Sequence, residues 1–139
     1  MGTHPVKRIE MPDGGEADID VLLAPLIEAL WAARYQTVGC CQDLGQSISG
    51  ASPRRGAYWA GYALLEMPVP DGRRLVNAVR QRARFRPRMH WAAEGAWEML
   101  IPVIVDPRQG ASITPWMQVH FPAGQAGDLA AVVRAQARR

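Results

Sequence analysis

Between Ile19 and Trp31 the residues Ile19, Leu22, Leu23, Leu26, Ile27, Leu30 and Trp31 recur at helical spacing. One wide apolar stripe of this kind cannot stand in water, so the rest of the chain must supply a surface to cover it. With 139 residues there is room for one domain to do so. Asp18 and Asp20 are candidate N-caps for this helix. Pro25 lacks a backbone donor and clashes with a preceding turn, so the regular part is expected to start near Ala24. Residues 1–17, rich in Pro, Gly and charge, read as a tail or loop ahead of a single domain at 18–139.

The cover is expected from strands. Tyr35–Cys41 is short, partly β-branched and ends in the turn-prone Gln42-Asp43, and Ala57–Leu65 reads as a second strand stopped by Pro68 and Pro70. Residues 44–56 read as a loop between them. Asp71 opens a second helix that runs to about Arg84. Trp97–Val105 and Ile113–Phe121 read as two further strands pairing across the turn at 106–112, with Pro102 marking an edge or a bulge. A last helix starts near Gly124. The order α-β-β-α-β-β-α predicts an α+β fold, a mostly antiparallel sheet with helices packed on one face. Leu22, Leu26, Ile27, Leu30, Leu64, Ile101, Ile104 and Val119 are its expected shared core. The two strand-strand-helix units suggest a duplication, but no residue-level repeat is apparent on direct reading.

Composition narrows the function. Hydrophobic residues at 48% and charged residues at 21% are ordinary globular usage. No apolar run reaches the length of a membrane span, and Met1–Glu10 has no signal-like stretch, so a cytoplasmic protein without a membrane partner is expected. The net charge of +3 hides an acidic first third, and of the sixteen basic residues only Lys7 is lysine. Nucleotide-binding glycine loops, the zinc-protease helix motif and the nucleophile-elbow motif are all absent. No cofactor and no metal ligand is assigned. Cys40 and Cys41 are neighbours, which argues against an ordinary disulfide and for reduced thiols.

Three sets of residues carry candidate chemistry. A zinc site would need Cys40, Cys41, His90 and His120 to converge, which a strand opposes by pointing adjacent cysteines to opposite faces. A nucleophilic pair would join Cys41 to His120 or His90, with Asp43 nearby. The densest signal is basic: Arg73, Arg74, Arg80, Arg84 and Arg88 lie in a run without a carboxylate, and several fall along one stripe of the expected helix. Such a stripe suits a nucleic acid or an acidic protein, and equally a solvated helix face. Of the five tryptophans most are expected in the core, with Trp91 or Trp97 at a contact surface.

The segment Ala24-Pro25-Leu26-Ile27-Glu28-Ala29-Leu30-Trp31, followed by Tyr35-Gln36-Thr37 and Cys40-Cys41-Gln42-Asp43, resembles the opening of a group of small uncharacterised bacterial and phage proteins. More distantly it is similar to the N-terminal motif of the tRNA wybutosine-synthesising methyltransferase family, with Thr37 and Cys41 at the matching threonine and cysteine. The likeness covers about 25 residues. Cys40 stands where both groups have serine, and Asp43-Leu44 replaces a Gly-Arg pair. The resemblance implies a helix-strand opening with a site at the strand end, and carries over neither methyl transfer nor a nucleoside cofactor. Together these readings favour an accessory or binding domain that contacts a partner through a basic helix, with a homodimer as one form of that contact. The alternative is an RNA-modifying or cysteine-centred enzyme at Cys41-Gln42-Asp43.

Overall fold

The computed structural model describes residues 4–90 and 92–138. Its core is a four-stranded antiparallel sheet in the order β3-β4-β8-β5, formed by Gly39–Cys41, Tyr62–Pro68, Trp116–Pro122 and Glu98–Leu100. Two separate hairpins flank it: β1 (Val6–Glu10) with β2 (Glu16–Asp20), and β6 (Val103–Asp106) with β7 (Gly110–Ile113). The helices are α1 (Ala24–Ala32), α2 (Leu44–Ser49), α3 (Pro53–Tyr58), α4 (Val69–Val79) and α5 (Ala126–Ala137). Helix at 37% and strand at 29% give the α+β class expected, in a different order of elements.

Strand alternation sorts the sheet into two faces. Ala63, Leu65 and Met67 of β4 and Met117, Val119 and Phe121 of β8 are buried on the face that meets the helices. The apolar stripe of α1 (Leu26, Ile27 and Leu30) joins them, with Leu75 and Val79 of α4 and Leu129 and Val133 of α5. Pro25 sits in the first turn of α1, where its missing donor costs nothing, so it starts the helix rather than kinking it. The far end of α1 closes with Arg34 in the left-handed region (φ 64°), Arg34 N–H donating to Trp31 O and Tyr35 N–H to Leu30 O.

The sheet and its helices form two related halves. Leu65, Met67, Pro68, Leu75, Val79 and Arg80 recur, at one constant sequence offset, as Val119, Phe121, Pro122, Leu129, Val133 and Arg134. Leu65 pairs with Val119 at the middle of the β4–β8 ladder, so a local two-fold passes through these mates. Each strand ends in a proline that turns the chain straight into its helix. The β4–α4 and β8–α5 units therefore correspond in order and register, while few of their residues are identical. The packing differs where Gly72 matches Ala126 and Met117 matches Ala63. A Cβ at Gly72 would run into the Met117 side chain, whereas the mates Ala126 and Ala63 are both small.

Several expectations fail for physical reasons. Residues 5–20 are not a tail. Ile9, Ala17 and Ile19 fall on one face of the β1–β2 hairpin and pack into the core, and the charged residues around them hide that alternation from a reading by hydrophobicity. Asp18 and Asp20 do not cap α1: Asp18 pairs with Arg8, and Asp20 accepts Gln42 N–H. The stretch 44–56 holds two short helices, α2 and α3, which approach closely where Gly45 meets the backbone of Gly56. Of the expected core, Leu26, Ile27, Leu30 and Val119 are buried. Leu64 lies on the opposite sheet face and is half-buried, and Leu22, Ile101 and Ile104 are exposed because they sit beside the core elements rather than within them. Pro102 divides the expected Trp97–Val105 strand into β5 and β6. Trp97 is buried between Phe85 and Phe121, so it is no contact surface, and Trp91 lies outside the described residues.

Candidate functional site

The two-fold makes the edges of the sheet directly comparable. At the first edge α1 packs along α5 and buries Ala130, while Cys40 of β3 packs against the core. Tyr35, just past α1, donates its hydroxyl to Gln136 Oε1 at 2.9 Å and closes that flank further. At the second edge the mate of Ala130 is Val76, and the residue opposite Val119 on β5 is Met99. Among the described residues no helix takes the corresponding place beside α4. Instead a groove runs between α4 and β5, lined by Arg73, Val76, Asn77, Met99 and Met117. It continues along the chain into an exposed apolar stretch of Leu100 and Ile101, then into the β6–β7 ribbon, where Val105 and Ile113 are 71% and 73% exposed. Large exposed apolar residues are thus grouped along this part of the chain.

The arginine stripe does not survive as one surface. The helix ends at Val79, so only Arg73 and Arg74 lie on it and Arg80 is its C-cap. Beyond it the chain turns inward to bury Phe85 against Trp97. Arg74 donates to Ala33 O at 3.0 Å and stacks over the Tyr35 ring at 4.1 Å, capping the end of α1. Arg84 pairs with Asp128 in the first turn of α5. Arg88 donates to Glu94 O at 3.0 Å and braces the loop before Trp97. Arg73 and Arg80 are exposed and pair with no carboxylate among the described residues, and Arg73 lines the groove.

The cysteine corner is organised differently from the expected pair. Alternation sends Cys40 to the helix face, where burial first, then Asp20 and Cys41, push its thiol up to about 12. Cys41 faces the other side, in a cross-strand row that runs Cys41, Leu64, His120, Glu98. Leu64 therefore stands between Cys41 and His120, and two strand spacings of about 4.8 Å each keep them apart. Asp43 lies just ahead of α2, and His90 follows the turn at 86–89, where its Nδ1 accepts Ala92 N–H. Leu64 thus separates Cys41 from His120, and with Cys40 and Cys41 on opposite faces the four-residue zinc set does not converge. What meets Cys41 is His4 and Asp20: their ligand atoms all lie within 4.8 Å of one another.

His120 belongs to a relay of its own. Gln118 Nε2 donates to Glu66 Oε2 at 3.0 Å, which turns Gln118 Oε1 toward His120 Nε2 at 3.2 Å. That network assigns the ring proton to Nε2 and leaves Nδ1 as an acceptor, buried without a partner among the described residues, while the ring meets Trp59 in a T-shaped contact. Burial lowers the imidazole pKa, against a smaller upward pull from Glu98. Thr37, singled out by the resemblance, accepts Trp31 Nε1–H at 2.9 Å and so ties α1 to the following segment. No helix among the described residues is long and apolar enough to cross a membrane.

Comparison with protein-family models, curated proteins and solved structures finds no match to this chain. The sequence puts Val76 on the thin apolar face of the second helix and Met99 in a strand, and marks neither as a contact residue. The local two-fold singles them out, because among the described residues it shows one helix flank covered by α1 and its mate without a helix.

Proposed function

We propose that this chain is a protein-binding module, and that its contact surface is the α4–β5 groove extended by the β6–β7 ribbon. One observation carries the reading: α1 covers the flank of α5 at the first edge, while among the described residues no helix covers the equivalent flank of α4, where Val76 lies beside Met99 of β5. The occupant that fits is an amphipathic helix of another protein. It would lay apolar side chains into the groove as α1 does on its own side, with acidic residues toward Arg73. The basic surface of the sequence reading thus contributes at one rim rather than along a helix, and an acidic protein partner is favoured over nucleic acid. The reduced thiols Cys40 and Cys41 are compatible with a cytoplasmic setting.

The test uses a synthetic helical peptide with leucines at i, i+3, i+4 and i+7 and glutamates between them, followed by fluorescence anisotropy. Binding is expected, with loss in Val76→Asp and Met99→Asp. Arg73→Glu is expected to weaken the acidic peptide and to favour a version carrying lysines. If a single-stranded oligonucleotide binds instead, with steep salt dependence that Arg73→Ala flattens, the partner is nucleic acid. A concentration-dependent dimer broken by Val76→Asp would replace the heterologous partner with a second copy of the chain.

A further inference from the structure

We infer that His4, Asp20 and Cys41 form a binding site for a single zinc-class divalent ion at the first edge of the sheet. The three residues come from separate segments: the chain just ahead of β1, the end of β2 and the end of β3. Hairpin docking brings them together, and their donor atoms all lie within 4.8 Å of one another. Ligands of a tetrahedral zinc ion stand roughly 3.3–3.8 Å apart, given metal–nitrogen and metal–sulfur bonds of about 2.0–2.3 Å. From separations of at most 4.8 Å, relative movement of no more than about 1.0–1.5 Å between ligand atoms closes the set. The donors are one imidazole nitrogen, one sulfur and one carboxylate oxygen, a borderline-soft set suited to zinc and poorly suited to magnesium or calcium.

Two further features point the same way. His4 Nε2 is buried without a hydrogen-bond partner among the described residues, an arrangement that leaves a ring nitrogen unsatisfied unless something else meets it. Asp20 is held from behind, its Oδ2 accepting Gln42 N–H at 2.8 Å while Gln42 Oε1 accepts Leu22 N–H at 3.1 Å. Ligation through Oδ1 keeps both bonds and gives the carboxylate the outer-shell support that metal sites use. Cys40 is no part of the set, because it points to the opposite face. With three protein ligands the ion keeps a fourth position for water or an outside donor. Cysteine ligates such ions as the thiolate.

Titration of the full chain with Co²⁺ under reducing conditions, and then with Zn²⁺ in competition, tests the inference. A thiolate-to-cobalt charge-transfer band saturating at one ion per chain is expected, displaced by Zn²⁺ and unaffected by Mg²⁺. Zn²⁺ is expected to raise Tm. His4→Ala leaves the packed elements untouched and is expected to weaken binding by more than roughly tenfold, since even outer-shell losses cost that much. Cys41→Ser removes the band, and Cys40→Ser retains it. Absence of a band, or its retention in Cys41→Ser, overturns the site. A metal-free Cys41 that alkylates rapidly, and slows in His4→Ala, would identify a nucleophilic pair in its place.

Discussion

The two hairpins that flank the sheet invert the usual association of hydrophobicity with burial. The β1–β2 hairpin reads Val-Lys-Arg-Ile-Glu and Glu-Ala-Asp-Ile-Asp, yet it is docked, with Ile9 and Ile19 at 6% and 9% exposure. The β6–β7 ribbon begins Val-Ile-Val, and every residue in it is exposed. Pattern decides between them. In the first hairpin Ile9, Ala17 and Ile19 share one face with Lys7, which reaches Glu28 of α1 at 3.5 Å, while Arg8, Glu16 and Asp18 pair in solvent on the other. In the second, three successive β-branched residues put apolar side chains on both faces, and one domain has no way to cover two faces of a ribbon that projects from it. A charged strand with one apolar face docks on its own domain; an apolar strand with two faces is left for a partner.

The strongest way to break this comparison is to truncate each hairpin. Ile19→Ala is expected to cost about 2–4 kcal/mol in urea unfolding, as buried isoleucine truncations do. Val105→Ala and Ile113→Ala are expected to stay within about 0.5 kcal/mol, as exposed substitutions do. Equal costs would mean that the ribbon is packed in solution.

Acid sharpens it. His120 is 3% exposed and its pKa is lowered, so the unfolded chain takes up the proton first and stability falls as pH drops below the ordinary value of 6.5 toward the folded one. One such group gives a slope no steeper than about 1.4 kcal/mol per pH unit. Global unfolding measured against pH is expected to show this loss, and His120→Gln to flatten it. Hydrogen exchange then separates the hairpins: β1–β2 amides lose protection with the sheet, and β6–β7 amides, which open locally, change little. A ribbon that tracked the sheet would contradict the comparison.

The smallest effect lies at Arg34. Its left-handed backbone favours glycine, and Arg34→Gly is expected to stabilise the chain by up to about 1 kcal/mol. That gain strengthens α1, the platform under β1–β2, and leaves ribbon exchange unchanged. A loss of stability would show that the Arg34 side chain contributes more than its backbone costs.

The elements with strong periodicity were legible in the sequence. The stripe of α1, the antiparallel pairing around residues 106–112 and the start of the last helix near Gly124 all follow from spacing and turn residues. The β1–β2 hairpin was not legible, because its alternation rests on three apolar residues among charges. The basic stripe misled for another reason: arginine was counted by sequence interval, while Arg74, Arg84 and Arg88 are spent on a helix end, an ion pair and a loop. At the cysteine corner, alternation correctly separated Cys40 from Cys41. No interval along the chain could bring His4 and Asp20 beside Cys41, since that meeting depends on how a hairpin docks.

The central β4–β8 ladder joins residues 62–68 to 116–122, and this has a consequence for how the chain is made. Among the described strands only β8 pairs with that edge of β4, so the first half emerges from the ribosome with this edge unpaired. At 5–20 residues per second the wait for Val119 and Phe121 is roughly 3–11 s. Long-range pairing of this kind also slows folding once synthesis is done. For those seconds the nascent chain carries an unpaired strand edge at β4, and a chaperone that shields such an edge would have its greatest effect then.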